Sequence, residues 1–145
     1  MSRYVIDASV AIKWMVPENP EERDVPQALA LLDALRNGGI TLYQPAHWEA
    51  EIAAVLARVS PATAIQKMVA LRSLAFTRVN DITIYATACE LAIRLNHHLF
   101  DTLYHAVALH APEATLVTAD RRYFDKASAI GQIVRLGDLP QPRSE

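Results

Sequence analysis

Four short apolar runs, Tyr4–Ile6, Thr41–Tyr43, Thr115–Thr118 and Ile133–Leu136, lie far apart in this chain, and helix-length segments separate them. Their apolar character is continuous rather than alternating, so each needs cover on both faces. Strands of that kind, interleaved with helices, form a mainly parallel sheet between helical layers. A weaker fifth run, Phe76–Val79, precedes Asn80 and Asp81. The expected fold class is therefore α/β, a three-layer α/β/α sandwich around four or five strands. A chain of 145 residues fits one domain over 1–145.

The helical segments carry their own punctuation. "PEERDVPQALALLDALRNGG" begins with acids and ends in Asn37-Gly38-Gly39, as helix starts and stops do. A second helix is expected from Ala46 to Val59, and a third with Ser60 as N-cap and Pro61 at N1. Asn80 or Asp81 caps the next, Asn96 separates it from its successor, and Pro112 stops that one at Ala111. Only the tail, "LPQPRSE", reads as loose.

Composition narrows the partners. Hydrophobic residues make up 52% and charged residues 21%, which suits a packed core and argues against disorder. The net charge of −2 and pI near 6.2 give no bulk attraction to nucleic acid or anionic membranes. A polyanion must be held by a local patch or through a metal ion. Asp7 and Lys13 interrupt the first apolar stretch, so a signal peptide is not expected, and no run reaches the roughly 20 apolar residues of a membrane span. A soluble, cytoplasmic protein is expected. Cys89, the single cysteine, excludes an internal disulfide and reads as a small core residue.

Against this background the acids at strand ends stand out. Asp7 closes "YVI" and Asp120 follows "TLVTA", each where the chain turns into a helix. Each is a good N-cap, and each sits where open α/β sheets collect ligands. Asp101 falls beside the apolar stripe Leu103, Tyr104, Val107, Ala108 and Ala111, which makes it a cap or a ligand. In the helix from Ala46 to Val59, Glu49 lies nearer the core stripe than Glu51, which shares a stripe with His47 and Arg58. The helical wheel alone does not choose Glu51. The small face Ala50, Ala53, Ala54 and Ala57 predicts a second cover for this helix, from the domain or from another chain. His97, Asp101 and His105 have i, i+4, i+8 spacing. That spacing can imitate a transition-metal site, but the break at Asn96 favours His97-His98 as a polar loop and His105 as a supporting or groove residue.

Taken together, "YVIDASV" at 4–10, "QPAHWEAEIAAVLAR" at 44–58, "FDTLYHAVAL" at 100–109 and "TLVTADRRYF" at 115–124 resemble the PIN-domain nucleases, and more closely the VapC toxins of bacterial toxin–antitoxin (VapBC) pairs. The four blocks stand in the family's order and span almost the whole chain. The resemblance carries the family's acids onto Asp7, Glu51, Asp101 and Asp120, so its register favours Glu51 over Glu49. Two positions depart from the pattern: Ala54 stands where Asn is frequent, and Phe100 where Tyr is frequent.

The resemblance implies a PIN-like sandwich and an endoribonuclease in which the four acids hold Mg²⁺ or Mn²⁺. Oxygen-only ligands suit these hard ions better than Zn²⁺. Ser9 and Thr118, each two residues from an Asp, are candidates to orient a carboxylate or water. Arg121 and Arg122 are candidates for RNA phosphate contacts, and removing the four acids from the charge count turns −2 into +2. A homodimer and a VapB-type antitoxin are the implied partners. Two rivals remain. A receiver-like Mg²⁺-binding regulatory domain would want an acidic pair after the first strand and a late lysine; neither is present. A non-catalytic PIN-like interaction module would be expected to have lost some acids.

Overall fold

The computed structural model describes residues 2–140. Among these residues five strands, β1 (Ser2–Ile6), β2 (Ile40–Gln44), β3 (Thr77–Arg78), β4 (Ala114–Thr118) and β5 (Ile133–Arg135), form one sheet in the order β3-β2-β1-β4-β5. Every neighbouring pair is parallel. Seven α-helices of the described residues flank the sheet: α1 (Ala8–Met15), α2 (Val25–Arg36), α3 (Trp48–Val59), α4 (Ala64–Arg72), α5 (Ile82–Leu95), α6 (Leu99–His110) and α7 (Arg121–Ala127). The α/β/α sandwich expected from the continuous apolar runs is the fold observed, the weak fifth strand included.

The strand order makes β1 central. The chain proceeds outward through β2 and β3, then returns to the other side of β1 with β4 and β5. The switch point lies between β1 and β4, where α/β sheets open a crevice at the strands' carboxyl ends. Gln44 reinforces this spot. It is fully buried, its amide nitrogen donates to the Ile6 carbonyl at 2.8 Å, and its side-chain oxygen accepts from the Ile6 N–H at 3.0 Å. Backbone pairing of β1 with β2 runs only to Tyr4–Leu42, so Gln44 supplies the missing partner at the residue before Asp7.

The core is built where the apolar stripes meet. Helix α6 packs over β1, β2 and β4 and along α5, and Tyr104, Val107 and Leu116 are all buried. On α1 and α3, Trp14 and Trp48 meet edge to face at 6.4 Å between ring centroids. The Trp14 Nε1–H donates to the Ala28 carbonyl at 2.7 Å, which ties α1 to α2.

Several boundaries differ from expectation for identifiable reasons. Ser60 donates its N–H to the Leu56 carbonyl and so ends α3 instead of capping α4. Residues 61–63 form a turn, and α4 begins at Ala64. The acids of "PEERD" lie ahead of α2, and Asp24, at φ +56°, makes no side-chain cap bond. Leu136 leaves β5 and opens a 3-10 turn to Asp138, its side chain fully buried. Cys89 is exposed, because α5 turns Ile84, Ala88 and Leu91 inward. The alanine face of α3 is only partly covered, by α4: Ala50, Ala54 and Ala57 stay exposed. Of the expected loose tail, residues 141–145 lie outside the described residues. No described helix is long and apolar enough to cross a membrane.

Candidate functional site

Asp7 occupies the carboxyl end of β1 and is both a cap and a buried acid. Its Oδ1 accepts from the Val10 N–H at 3.4 Å, closing the first turn of α1. The Ser9 hydroxyl also donates to Oδ1, and the Thr118 hydroxyl donates to Oδ2. These hydroxyls are themselves held by the loop after β4: the Ala119 N–H donates to Ser9 Oγ at 3.1 Å and the Asp120 N–H to Thr118 Oγ1 at 3.0 Å. The switch point is thus stitched through two hydroxyls onto one carboxylate. On the far side of the stitch, Asp120 caps α7 by accepting from the Tyr123 N–H at 3.2 Å.

Asp101 enters from the first turn of α6. Its Oδ2 accepts from His97 Nε2 at 2.6 Å and lies 3.1 Å from His98 Nε2. One turn on, the buried Tyr104 hydroxyl donates to Glu51 Oε1 at 2.6 Å. His47 Nε2 lies 3.2 Å from the same Glu51 oxygen and donates to the Phe100 carbonyl at 2.8 Å. The ring of His47 stacks on Phe100 and tilts against Tyr104. Helices α3 and α6 therefore present Glu51 and Asp101 to the same end of the sheet. Glu49 goes elsewhere: it pairs with Arg72 at 2.9 Å and Arg78 at 2.5 Å, clamping α3 to α4 and β3.

Electrostatics register the convergence. Burial pushes the Asp7 carboxyl up to about 7; the Ser9 and Thr118 hydrogen bonds oppose this, while the charges of Asp101 and Asp120 add to it. Burial raises the Tyr104 hydroxyl far above its ordinary value, helped by the hydrogen bond to Glu51 and the charges of Asp7 and Asp101. Burial would also raise Glu51, but hydrogen bonds from His47 and Tyr104 outweigh it and hold the carboxyl below its usual value. Four acids from four elements feel one another or share the same neighbours.

The sequence matches the model of the PIN domain family over residues 4–130. The chain belongs to the PIN domain family. Solved structures share the fold at low identity. A toxin-antitoxin complex from Klebsiella pneumoniae aligns with TM-score 0.65 at 16% identity, covering 92% of this chain and 97% of that one. VapBC2 from Rickettsia felis, bound to a DNA fragment from its promoter, gives 0.65 at 16% identity over 92% and 96%. PAE2754 from Pyrobaculum aerophilum gives 0.62 at 19% identity over 94% and 90%. No curated protein matches the sequence.

In this PIN domain the remaining sequence candidates separate. His105 is buried and reaches the acids only through Tyr123. Its Nε2–H donates to the Gly131 carbonyl at 2.8 Å, so its Nδ1 accepts from the Tyr123 hydroxyl at 2.8 Å. Burial holds this imidazole below its usual pKa, in keeping with that neutral tautomer. Arg121 lines a cavity of about 430 Å³ with Lys13, Arg23 and Arg135, and Thr118 and Ala119 form its wall toward Asp7. Arg122 is exposed and outside that wall. Sequence reasoning missed Gln44, His47 and Tyr104 as site residues. Tyr104 carried a usable signal, since it lies three residues after Asp101 and so on the same helix face.

The donor set suits a hard divalent cation. Burial raises Asp7 and the charges of Asp101 and Asp120 add to that rise; Mg²⁺ or Mn²⁺ bound by carboxylate oxygens would offset both.

Proposed function

We propose that this PIN domain is a metal-dependent endoribonuclease, the VapC-type toxin of a toxin–antitoxin pair. The observation that carries the reading is Asp7: a carboxylate buried at the switch point, braced by two hydroxyls and repelled by two further acids. A purely structural cap has no use for that repulsion. Asp7 and Asp101 are the principal candidates to hold the ion, with Glu51 and Asp120 completing the set directly or through water. When bound, Mg²⁺ or Mn²⁺ supplies a water of lowered pKa and neutralises charge at the scissile phosphate.

The chain's own groups do the positioning. Ser9 and Thr118 fix both oxygens of Asp7, His97 and His98 hold Asp101, and Tyr104 with His47 keeps Glu51 ionised. The cavity beside Thr118 is lined by Lys13, Arg23, Arg121 and Arg135 and also by Asp24 and Asp138. Lys13 pairs with Glu22 and Arg135 with Asp138, so Arg23 and Arg121 are the candidates to contact the flanking RNA backbone.

The similar structures from Klebsiella pneumoniae and Rickettsia felis are a toxin-antitoxin complex and VapBC2, which supports a VapB-type antitoxin as partner. Exposed apolar residues fit such contacts: Ile65 and Val69 on α4 are 82% and 67% exposed and line a cavity of about 570 Å³ with the alanine face of α3.

The test is cleavage of single-stranded RNA with Mg²⁺ or Mn²⁺ by wild type, Asp7→Asn and Asp101→Asn. Cleavage that disappears in both variants and in EDTA supports the proposal. Undiminished cleavage in either condition overturns it.

A further inference from the structure

Asp101 has two histidines on one oxygen. His97 Nε2 lies 2.6 Å from Asp101 Oδ2 and His98 Nε2 lies 3.1 Å from it. Among the described residues, these three form the group whose donor atoms all lie within 4.8 Å of one another. In a tetrahedral zinc site with bonds of about 2.05 Å, neighbouring ligand atoms stand about 3.3 Å apart. The His98–Asp101 edge is already close to that length, and the His97–Asp101 edge needs to open by about 0.7 Å. Two imidazoles and a carboxylate are also the ligand types that Zn²⁺ and Co²⁺ take in preference to Mg²⁺.

The surroundings separate a fixed arm from an accessible one. The His97 side chain is 4% exposed, and its ring packs 5.0 Å from Tyr123 and 4.7 Å from His98. The His98 side chain is 66% exposed, just ahead of α6, so the third ligand faces solvent. A three-ligand site with one side open to water is the arrangement that leaves a coordination position for water or another donor.

We propose that His97, His98 and Asp101 form a site for a borderline transition-metal ion of the Zn²⁺ class, distinct in ligand chemistry from the oxygen-only centre but sharing Asp101 with it. Occupation commits Asp101 Oδ2 to the transition-metal ion and so withdraws that oxygen from the oxygen-only centre. Resting on the nuclease reading, this makes zinc an inhibitor of Mg²⁺-supported cleavage.

Binding is measured without RNA. Metal-free full-length protein is titrated with Co²⁺, followed by its visible absorption, and with Zn²⁺ by calorimetry in excess Mg²⁺. One ion per chain is expected, with nitrogen ligation in the cobalt spectrum. Affinity falls at least tenfold in His98→Gln, whose exposed side chain spares the core, and stays at the wild-type level in His110→Gln. Absent binding, or equal binding by wild type and His98→Gln, overturns the site whether or not RNA is cleaved. Zinc that binds but leaves Mg²⁺-supported cleavage unchanged refutes the sharing of Asp101. Loss of cleavage in every preparation, with zinc binding intact, sinks the nuclease reading alone.

Discussion

Replacing Asp7 by Asn keeps the size of a buried side chain and removes its ability to ionise, so its effect on stability depends on pH. In the metal-free protein burial raises the Asp7 carboxyl from 3.8 to about 7. The folded state therefore keeps a proton that the unfolded chain has released. Stability falls as pH rises through this window and levels off above it. At 1.36 kcal/mol per unit, the whole window is worth about 4 kcal/mol, and about 2–3 kcal/mol of it falls between pH 5 and pH 8. The amide of the Asp7→Asn variant does not titrate, although one of the two hydroxyls that donate to Asp7 loses its acceptor, at a cost of about 1 kcal/mol that is independent of pH. Urea denaturation of both proteins in EDTA should show the variant gaining on wild type by about 2–3 kcal/mol between pH 5 and pH 8. Added Mg²⁺ at pH 8 should then stabilise wild type and leave the variant unmoved, because binding favours the ionised carboxylate. A stability gap that stays constant with pH refutes the claim that Asp7 is held against its own charge.

Other residues test the supports of the site. Thr118→Val removes the donor to Asp7 and the acceptor of the Asp120 N–H; a loss of about 1–3 kcal/mol in urea denaturation is expected, with the Asp7 carboxyl rising further by NMR titration. Gln44→Leu leaves the Ile6 N–H and carbonyl without their partner and should cost about 2–4 kcal/mol in the same assay. Glu49→Gln should cost under about 1 kcal/mol, because its arginines are largely exposed, and should leave RNA cleavage intact. Glu51→Gln should reduce cleavage sharply, and equal activity of the two variants would contradict their assignment.

Much of the fold was legible in the chain itself. Continuous apolar runs spaced by helices dictate a covered parallel sheet, because strands buried on both faces leave no other economical packing. That logic placed five strands and the break at Asn96, whose left-handed backbone at φ +49° ends α5. It failed where one residue served two elements. Ser60 is as good an N-cap as a last-turn partner by composition, and the Leu56 carbonyl decides between them.

The site was legible only in part. The sequence by itself determined which carboxylates end strands or open helices, since Asp at such junctions satisfies orphan backbone N–H groups. Family register, not helix periodicity, separated Glu51 from Glu49. Tertiary structure decided what each acid faces. Only the strand order puts β4 beside β1 and so brings Thr118 to Asp7 across 111 positions of chain. Only the tertiary packing that brings α6 to α3 sets Tyr104 on Glu51, whereas the two histidines on Asp101 are its own neighbours three and four positions back. Local sequence fixes the cap, because a cap needs only its own helix. The charge environment of a buried carboxylate is a sum over distant segments, and no local pattern contains it.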